Sequence, residues 1–220
     1  QMCIRDRFII MRKLKLGMIG GGEGSFIGAI HRNAALLDNC YELTAGSFSS
    51  DYENSKLTGE KLFLDPSRIY KNYEEMLEKE SNISENQRID VVSIVTPNHL
   101  HFDPAIKSLE KGLPVIIDKP MTFDTEQAKI LHDKVEKTKI PFAVTHTYTG
   151  YPMVKQARSL VLDGKIGKVR KVAVEYPQGW LSTMLEKDNN KQASWRTDPS
   201  KSGKAGSMGD IGTHAANMVE

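Results

Sequence analysis

Residues 14–37 read LKLGMIGGGEGSFIGAIHRNAALL, and this stretch decides the fold. Leu14 to Gly20 is a short apolar run of strand length, and Phe26 to Leu37 carries apolar residues at helical spacing. Between them Gly20, Gly22, Gly24 and Gly28 mark a turn, and Glu42 to Phe48 then reads as a second strand, which completes a βαβ unit. Bare backbone at a helix start lets a pyrophosphate reach the unpaired N–H groups there, so the turn predicts dinucleotide binding. The spacing departs from G-x-G-x-x-G, because Ser25 stands where the third glycine would be and Gly28 follows later. An isolated glycine cluster would read as a tight structural turn; the strand before it and the helix after it favour the nucleotide.

The same grammar continues outward. Asp51 to Phe63 and Tyr73 to Lys79 read as helices, and Ser81 to Arg88 as a polar surface connection. DVVSIV over 90–95 is a β-branched strand, Pro104 to Lys111 a helix, and PVII over 114–117 a strand. Thr125 to Lys137 places Ala128, Leu131 and Val135 on one helix face, and Pro141 to Thr145 closes the sheet. Short strands alternating with amphipathic helices predict an α/β class with a doubly wound parallel sheet over residues 11–148. After Gly150 the pattern changes: Met153 to Leu162 is helical, but Lys168 to Tyr176 (KVRKVAVEY) alternates as a half-exposed antiparallel strand does. A polar loop over Ser182 to Ser207 leads into a helical start at Met208, so residues 149–220 are expected to begin an incomplete second, α+β domain with a largely antiparallel sheet. The expectation for the chain as a whole is a C-terminally truncated fragment, weakly stable or inactive alone. Residues 1–10 (QMCIRDRFII) are read as a leader left by cloning or sequence assembly, with Met11 as the start.

Composition narrows the partners. Of 220 residues, 30 are Lys or Arg and 28 are Asp or Glu, a net charge of +2 that argues against a nucleic-acid binder and for a small molecule. The apolar runs, such as Phe8 to Met11, fall far short of a bilayer span. Cys3 and Cys40 form neither a disulfide framework nor a zinc spacing, which points to a reducing, cytoplasmic setting and no metal.

The candidate site lies where strands end, because ligands of open α/β sheets bind beyond carboxyl ends. The second strand ends Gly46, Ser47, Phe48, Ser49, Ser50 with no acid at its tip; Ser49 and Ser50 are candidates for a ribose hydroxyl or a 2′-phosphate, and Asp51 is equally a helix cap. NAD and NADP therefore both stay open. DVVSIV runs into Thr96, Pro97, Asn98, His99 and His101, a loop suited to a nicotinamide ribose or carboxamide. PVII runs into Asp118, Lys119 and Pro120, with Pro120 a candidate for a cis bond. Asp210 and His214 stand four apart, on one helix face, either as a general-base pair or as an ordinary intrahelical ion pair.

Taken together, GMIGGGEGSFIGAIHR, SIVTPNHLH, DKPMT, THTYTGYP and WRTDPSKSGKAGSMGDIGTH resemble the Gfo/Idh/MocA oxidoreductases, the family of glucose-fructose oxidoreductase and myo-inositol dehydrogenase, from Lys13 to Glu220. The resemblance implies a Rossmann domain, a C-terminal domain for substrate and oligomer contacts, and Lys119, Asp210 and His214 as catalytic residues, with His214 the acid/base. It implies cofactor contacts from Gly20, Gly22, Gly24, Phe26, Ile27, Thr96, Pro97, Asn98, His101, Asp118, Lys119, Trp195 and Arg196, besides Ser49 and Ser50. Tyr148 and Tyr176 are expected beside Lys119, Asp210 and His214 at the substrate. Three departures stand out: Asp118 replaces the usual Glu, Thr147 stands where many members have Asn, and the glycine turn is longer. The implied activity is NAD(P)-dependent oxidation of a sugar or cyclic polyol hydroxyl by a homo-oligomer. The alternatives are a hydrolase or isomerase that recycles tightly bound NAD(H), and a non-catalytic cofactor-binding sensor.

Overall fold

The computed structural model describes residues 12–220, so the leader reading of residues 1–10 lies outside the described residues. Five strands, β1 (Leu14–Gly20), β2 (Tyr41–Ser47), β3 (Val91–Val95), β4 (Val115–Asp118) and β5 (Phe142–Thr145), form one sheet in the order β2-β1-β3-β4-β5. Every pairing is parallel. The connections carry α1 (Ile27–Leu37), α2 (Tyr52–Lys61), α3 (Tyr73–Ser81), α4 (Phe102–Glu110) and α5 (Thr125–Thr138). Chain order reverses between β1 and β3, so the carboxyl ends of those two strands flank the crevice where such sheets take ligands.

All five residues of β3 are buried, which explains why its sequence, apolar but for Ser93, does not alternate: helices cover both faces. One core contains Ile19, Ala45, Val92, Ile94, Leu109, Val115, Ile117 and Leu131, and a second contains Met18, Phe48, Leu64, Ile69 and Val95. Beyond β2 a single parallel bridge joins Gly46 to Ile69, and Tyr70 N–H donates to Gly46 O at 2.8 Å. That bridge is a strand reduced to one residue. The 3-10 turn Pro66–Arg68 before it and Asn72, which caps α3, after it leave no room for a longer pairing.

Next to that bridge the fully buried Glu80 carboxylate accepts from Arg68 Nε at 3.0 Å, from the Tyr70 hydroxyl at 2.8 Å and from Ile89 N–H at 3.1 Å. The carboxylate joins α3 to the strand edge. Tyr70→Phe leaves one of its lone pairs unsatisfied while Arg68 stays in place, so it is expected to lower unfolding free energy by about 1–2 kcal/mol, read as a lower urea midpoint at unchanged slope.

Beyond β5 come α6 (Pro152–Leu162), α7 (Lys191–Arg196), α8 (Pro199–Ser202), a π-helical turn over Met208–Gly212 and α9 (Thr213–Val219). No residue of α6 is buried, and Val169, Val172 and Val174 are exposed. The antiparallel strand expected over Lys168 to Tyr176 is absent among the described residues. Its alternation is intact, but a strand forms only against a ladder partner, and no strand lies beside it.

Candidate functional site

The glycine turn leaves β1 with Gly20, Gly21 and Gly24 at φ of +85°, +80° and +78°, a backbone path that side chains resist. A Cβ on Gly28 would lie 2.4 Å from Gly21 Cα, so Gly28 packs α1 against the turn although it falls outside the expected spacing. Gly22 is constrained by protein too: a Cβ there would sit 2.5 Å from Asn54 Oδ1 of α2. The turn is tied down by Arg32, which donates to Gly21 O at 2.8 Å, and by Glu23 N–H, which donates to Thr58 Oγ1 at 3.0 Å. Two features fit an anionic group at the start of α1. The helix has no side-chain cap, so its first N–H groups are unspent, and the Ser25 hydroxyl beside them is buried with no partner. Phe26 is 66% exposed beside this opening, whereas the Ile27 side chain packs on the core of Met18 and Phe48 and leaves only its backbone to a ligand.

At the tip of β2, Ser49 Oγ accepts from Asp51 N–H at 3.1 Å and Ser50 is exposed. Asp51 accepts from Glu53 N–H at 3.1 Å, which settles it as the cap of α2. In the loop after β3, Thr96 Oγ1 donates to Leu100 O at 3.0 Å, Pro97 is exposed and Asn98 is buried at the start of a 3-10 turn. His101 requires a correction. It is wholly buried, with Nδ1 2.7 Å from Pro120 O and Nε2 2.8 Å from Thr96 O, so the ring lies between the two loops, donating the one N–H of a neutral imidazole to a carbonyl, and is enclosed by protein rather than open to a cofactor. One oxygen of the Asp118 side chain is engaged inside the fold: Oδ1 accepts from Thr145 Oγ1 at 2.9 Å and lies 3.5 Å from His31 Nε2. Burial pushes the Asp118 carboxyl up, but His31, Thr145 and His101 outweigh it and hold it below the ordinary carboxylate range.

Lys119, on a cis Lys119-Pro120 bond, leaves β4 and reaches 91 residues along the chain: Nζ donates to Asp210 O at 2.7 Å and to Asp210 Oδ1 at 2.5 Å. Asp210 sits on the π-helical turn, and its other oxygen accepts from Arg196 Nε at 3.2 Å. Both side chains of the Lys119–Asp210 pair are mostly buried, at 15% and 21% exposed. Burial pushes the Asp210 carboxyl up, but Lys119 and Arg196 pull harder and keep it below the ordinary range, hence ionised. Arg196 lies over the rings of Trp195, whose centre is 4.2 Å from the guanidinium carbon, and Trp180, at 5.5 Å. The Asp210–His214 pair expected from spacing does not form among the described hydrogen bonds. The two cations take both carboxylate oxygens first.

His214 is 8% exposed on α9, between the rings of His146 at 5.7 Å and Tyr148 at 4.6 Å. Burial first, then Lys119 and His146, push its imidazole below the ordinary histidine value. The Tyr148 hydroxyl contacts that of Tyr176, which with burial raises the Tyr148 phenol to about 12 and leaves it protonated near neutrality. A cleft of ≈ 260 Å³ opens beside this cluster, walled by Tyr148, Tyr151, Val154, Val174, Tyr176 and His214. Lys119, at the carboxyl end of β4, thus meets Asp210 and Arg196, with His214 beside them, at the sheet edge from which the glycine turn also leaves β1.

Sequence reasoning missed His31, Ser93, Thr145 and His146. His146 carries the strand-end signal already used for Lys119, since it directly follows β5 inside THTYTGYP. His31 carries no signal at all: mid-helix, it looks like any half-polar helix residue.

Comparison with known proteins agrees with this geometry. Residues 14–146 match the GFO/IDH/MocA model described as an oxidoreductase family with an NAD-binding Rossmann fold, and residues 154–220 match the GFO/IDH/MocA C-terminal domain. The chain is 35% identical over 220 residues, all of it, to the uncharacterized oxidoreductase YfiI of Bacillus subtilis, of which it covers 56%. It is 31% identical over 209 residues to the levoglucosan dehydrogenase of Pseudarthrobacter phenanthrenivorans, covering 95% of this chain and 51% of that one. A crystal structure of an inositol dehydrogenase homolog from Azotobacter vinelandii, complexed with NADH and myo-inositol, superimposes with a TM-score of 0.86 at 34% identity, covering 96% of this chain and 52% of that one. The chain spans about half the length of the curated relatives it matches. With a matching family model over its parallel-sheet half and a glycine turn, Lys119 and Asp210 where strand ends meet, the chain belongs to the GFO/IDH/MocA oxidoreductase family.

Proposed function

We propose that this chain carries the NAD-binding and catalytic residues of a dehydrogenase that oxidises one secondary hydroxyl of a cyclic polyol or sugar. The observation that carries the reading is the Lys119–Asp210–Arg196 cluster, with His214 beside it, at the same sheet edge as the glycine turn. The relatives named for levoglucosan and complexed with myo-inositol support the substrate class. The α1 N-terminus and Ser25 would hold the pyrophosphate of NAD, and the loop Thr96, Pro97 and Asn98 the nicotinamide ribose. Bound NAD+ supplies the hydride acceptor.

The protein side of the reaction follows from charge and burial. Lys119 donates hydrogen bonds to the substrate oxygen and favours its partial negative charge as the O–H proton leaves. His214, kept neutral, accepts that proton. Asp210 orients Lys119, and Arg196 fixes Asp210, so the ammonium cannot swing away. We also infer a division between residues 11–148, the cofactor domain, and 149–220, the start of a domain whose antiparallel sheet includes 168–176. The two family matches on either side of residues 147–153 and the alternation of KVRKVAVEY support it.

The test is a matrix of NAD+ and NADP+ against myo-inositol, levoglucosan and a broad sugar panel, run on the complete gene product and read as nicotinamide reduction. Reduction of NAD+ by a polyol is the expected result. Product formed without net reduction would replace the reading by a recycled-cofactor hydrolase or isomerase, and tight NAD+ binding with no turnover by a sensor.

A further inference from the structure

A chain of buried polar side chains runs beneath the catalytic edge, and the catalytic reading does not use it. His31 on α1 places Nδ1 3.1 Å from Ser93 Oγ of β3 and Nε2 3.5 Å from Asp118 Oδ1 of β4. Asp118 Oδ1 in turn accepts from Thr145 Oγ1 of β5, its register neighbour, at 2.9 Å. The His31 and Asp118 side chains are 9% and 18% exposed. One imidazole and one carboxylate therefore link a helix to three adjacent strands, at a mostly buried position where each would be costly unpaired.

Position gives the chain its meaning. Asp118 is the residue before Lys119, and the carbonyl of Pro120, the residue after it, is held by His101 at 2.7 Å. Lys119 is thus pinned on both sides by a buried imidazole. The next residue of α1, Arg32, ties the glycine turn through Gly21 O at 2.8 Å, so consecutive side chains of one helix hold the two halves of the site.

We propose that His31 and Asp118 form a positioning pair that fixes the carboxyl end of β4 and so aims Lys119 at the reacting oxygen. This inference rests on the dehydrogenase reading for its kinetic arm. His31 is a positioning residue, since it touches Lys119 only through Asp118.

The test compares His31→Leu, His31→Gln and the parent, all as the complete gene product, with myo-inositol and levoglucosan as substrates. His31→Leu is expected to lower kcat by about tenfold to a hundredfold with the NAD+ dissociation constant unchanged within about twofold, because a small misplacement costs turnover rather than cofactor binding. His31→Gln, which can still hydrogen-bond Ser93 and Asp118, is expected to restore most of the loss. A second arm needs no turnover: the Asp118 carboxyl, followed by carbon NMR, is expected to titrate higher in His31→Leu, the other titratable groups around it, His101, Lys119, His146 and His214, being unchanged. Unchanged kcat in His31→Leu, or equal losses in kcat and NAD+ affinity that Gln does not restore, would overturn the pair. If the parent oxidises no polyol, the dehydrogenase reading fails on the parent alone, and the titration still decides: an unmoved Asp118 midpoint overturns the pairing, a raised one supports it.

Discussion

Replacing Lys119 by methionine is expected to lower kcat/KM for the polyol by about a hundredfold to a thousandfold, the range found when one donor to a developing oxyanion is removed. Methionine keeps the length and most of the packing of the lysine stem, so the change isolates the ammonium. That ammonium is one of two cations on the buried Asp210 carboxylate, the other being Arg196 at 3.2 Å. With Lys119 gone Arg196 still pairs the carboxylate, so the turn over Met208–Gly212 is expected to keep its shape, and far-ultraviolet circular dichroism should match the parent. NAD+ affinity, set chiefly by the glycine turn and α1, is expected to weaken by no more than about threefold. Lys119→Arg should restore little, because a planar guanidinium cannot reproduce a compact point charge between Asp210 and the substrate. Steady-state kinetics on the complete gene product decides: a loss under about tenfold would mean that Lys119 does not touch the reacting oxygen in the transition state.

How much of this was legible beforehand depended on where each feature is encoded. The parallel sheet was legible because each of its five strands is bounded by glycine, proline or polar residues and backed by a helix of matching period. The one-residue bridge at Ile69 was not, since a strand of that length leaves no periodicity. Lys119 was legible through its position just past a buried strand, and the structure places it there. The partners of Asp210 were not: spacing pointed to His214, and only the fold brings Lys119 across 91 residues to take the carboxylate. His101 shows the opposite limit. Its place in SIVTPNHLH implied a cofactor contact, yet the ring is buried between the Pro120 and Thr96 carbonyls, an enclosure that requires the next loop to fold back. The alternation of 168–176 was read correctly as pattern, but a pattern becomes a strand only when a second strand is beside it.

His214→Asn is expected to lower kcat by about a hundredfold to ten-thousandfold and to remove the acid limb of the pH–rate profile. A general base must be neutral to accept a proton, so activity falls as pH drops through the histidine's own midpoint. Burial pushes that midpoint down, and Lys119 and His146 push it further, while Asp210 and Asp118 pull it up less strongly. Hydrogen bonding points the same way. Nδ1 of His214 is buried with no partner, so the cation, which needs N–H on both nitrogens, would bury a donor with no acceptor. The parent enzyme is therefore expected to stay active below the ordinary histidine value of about 6.5. Lys119→Met removes the largest opposing charge, so what activity remains should lose its acid limb at a higher pH than the parent. Tyr148 cannot supply the same limb, since its phenol, raised to about 12, stays protonated throughout that range. A parent limb lying above pH 7, or one that persists unchanged in His214→Asn, would assign the proton to another group.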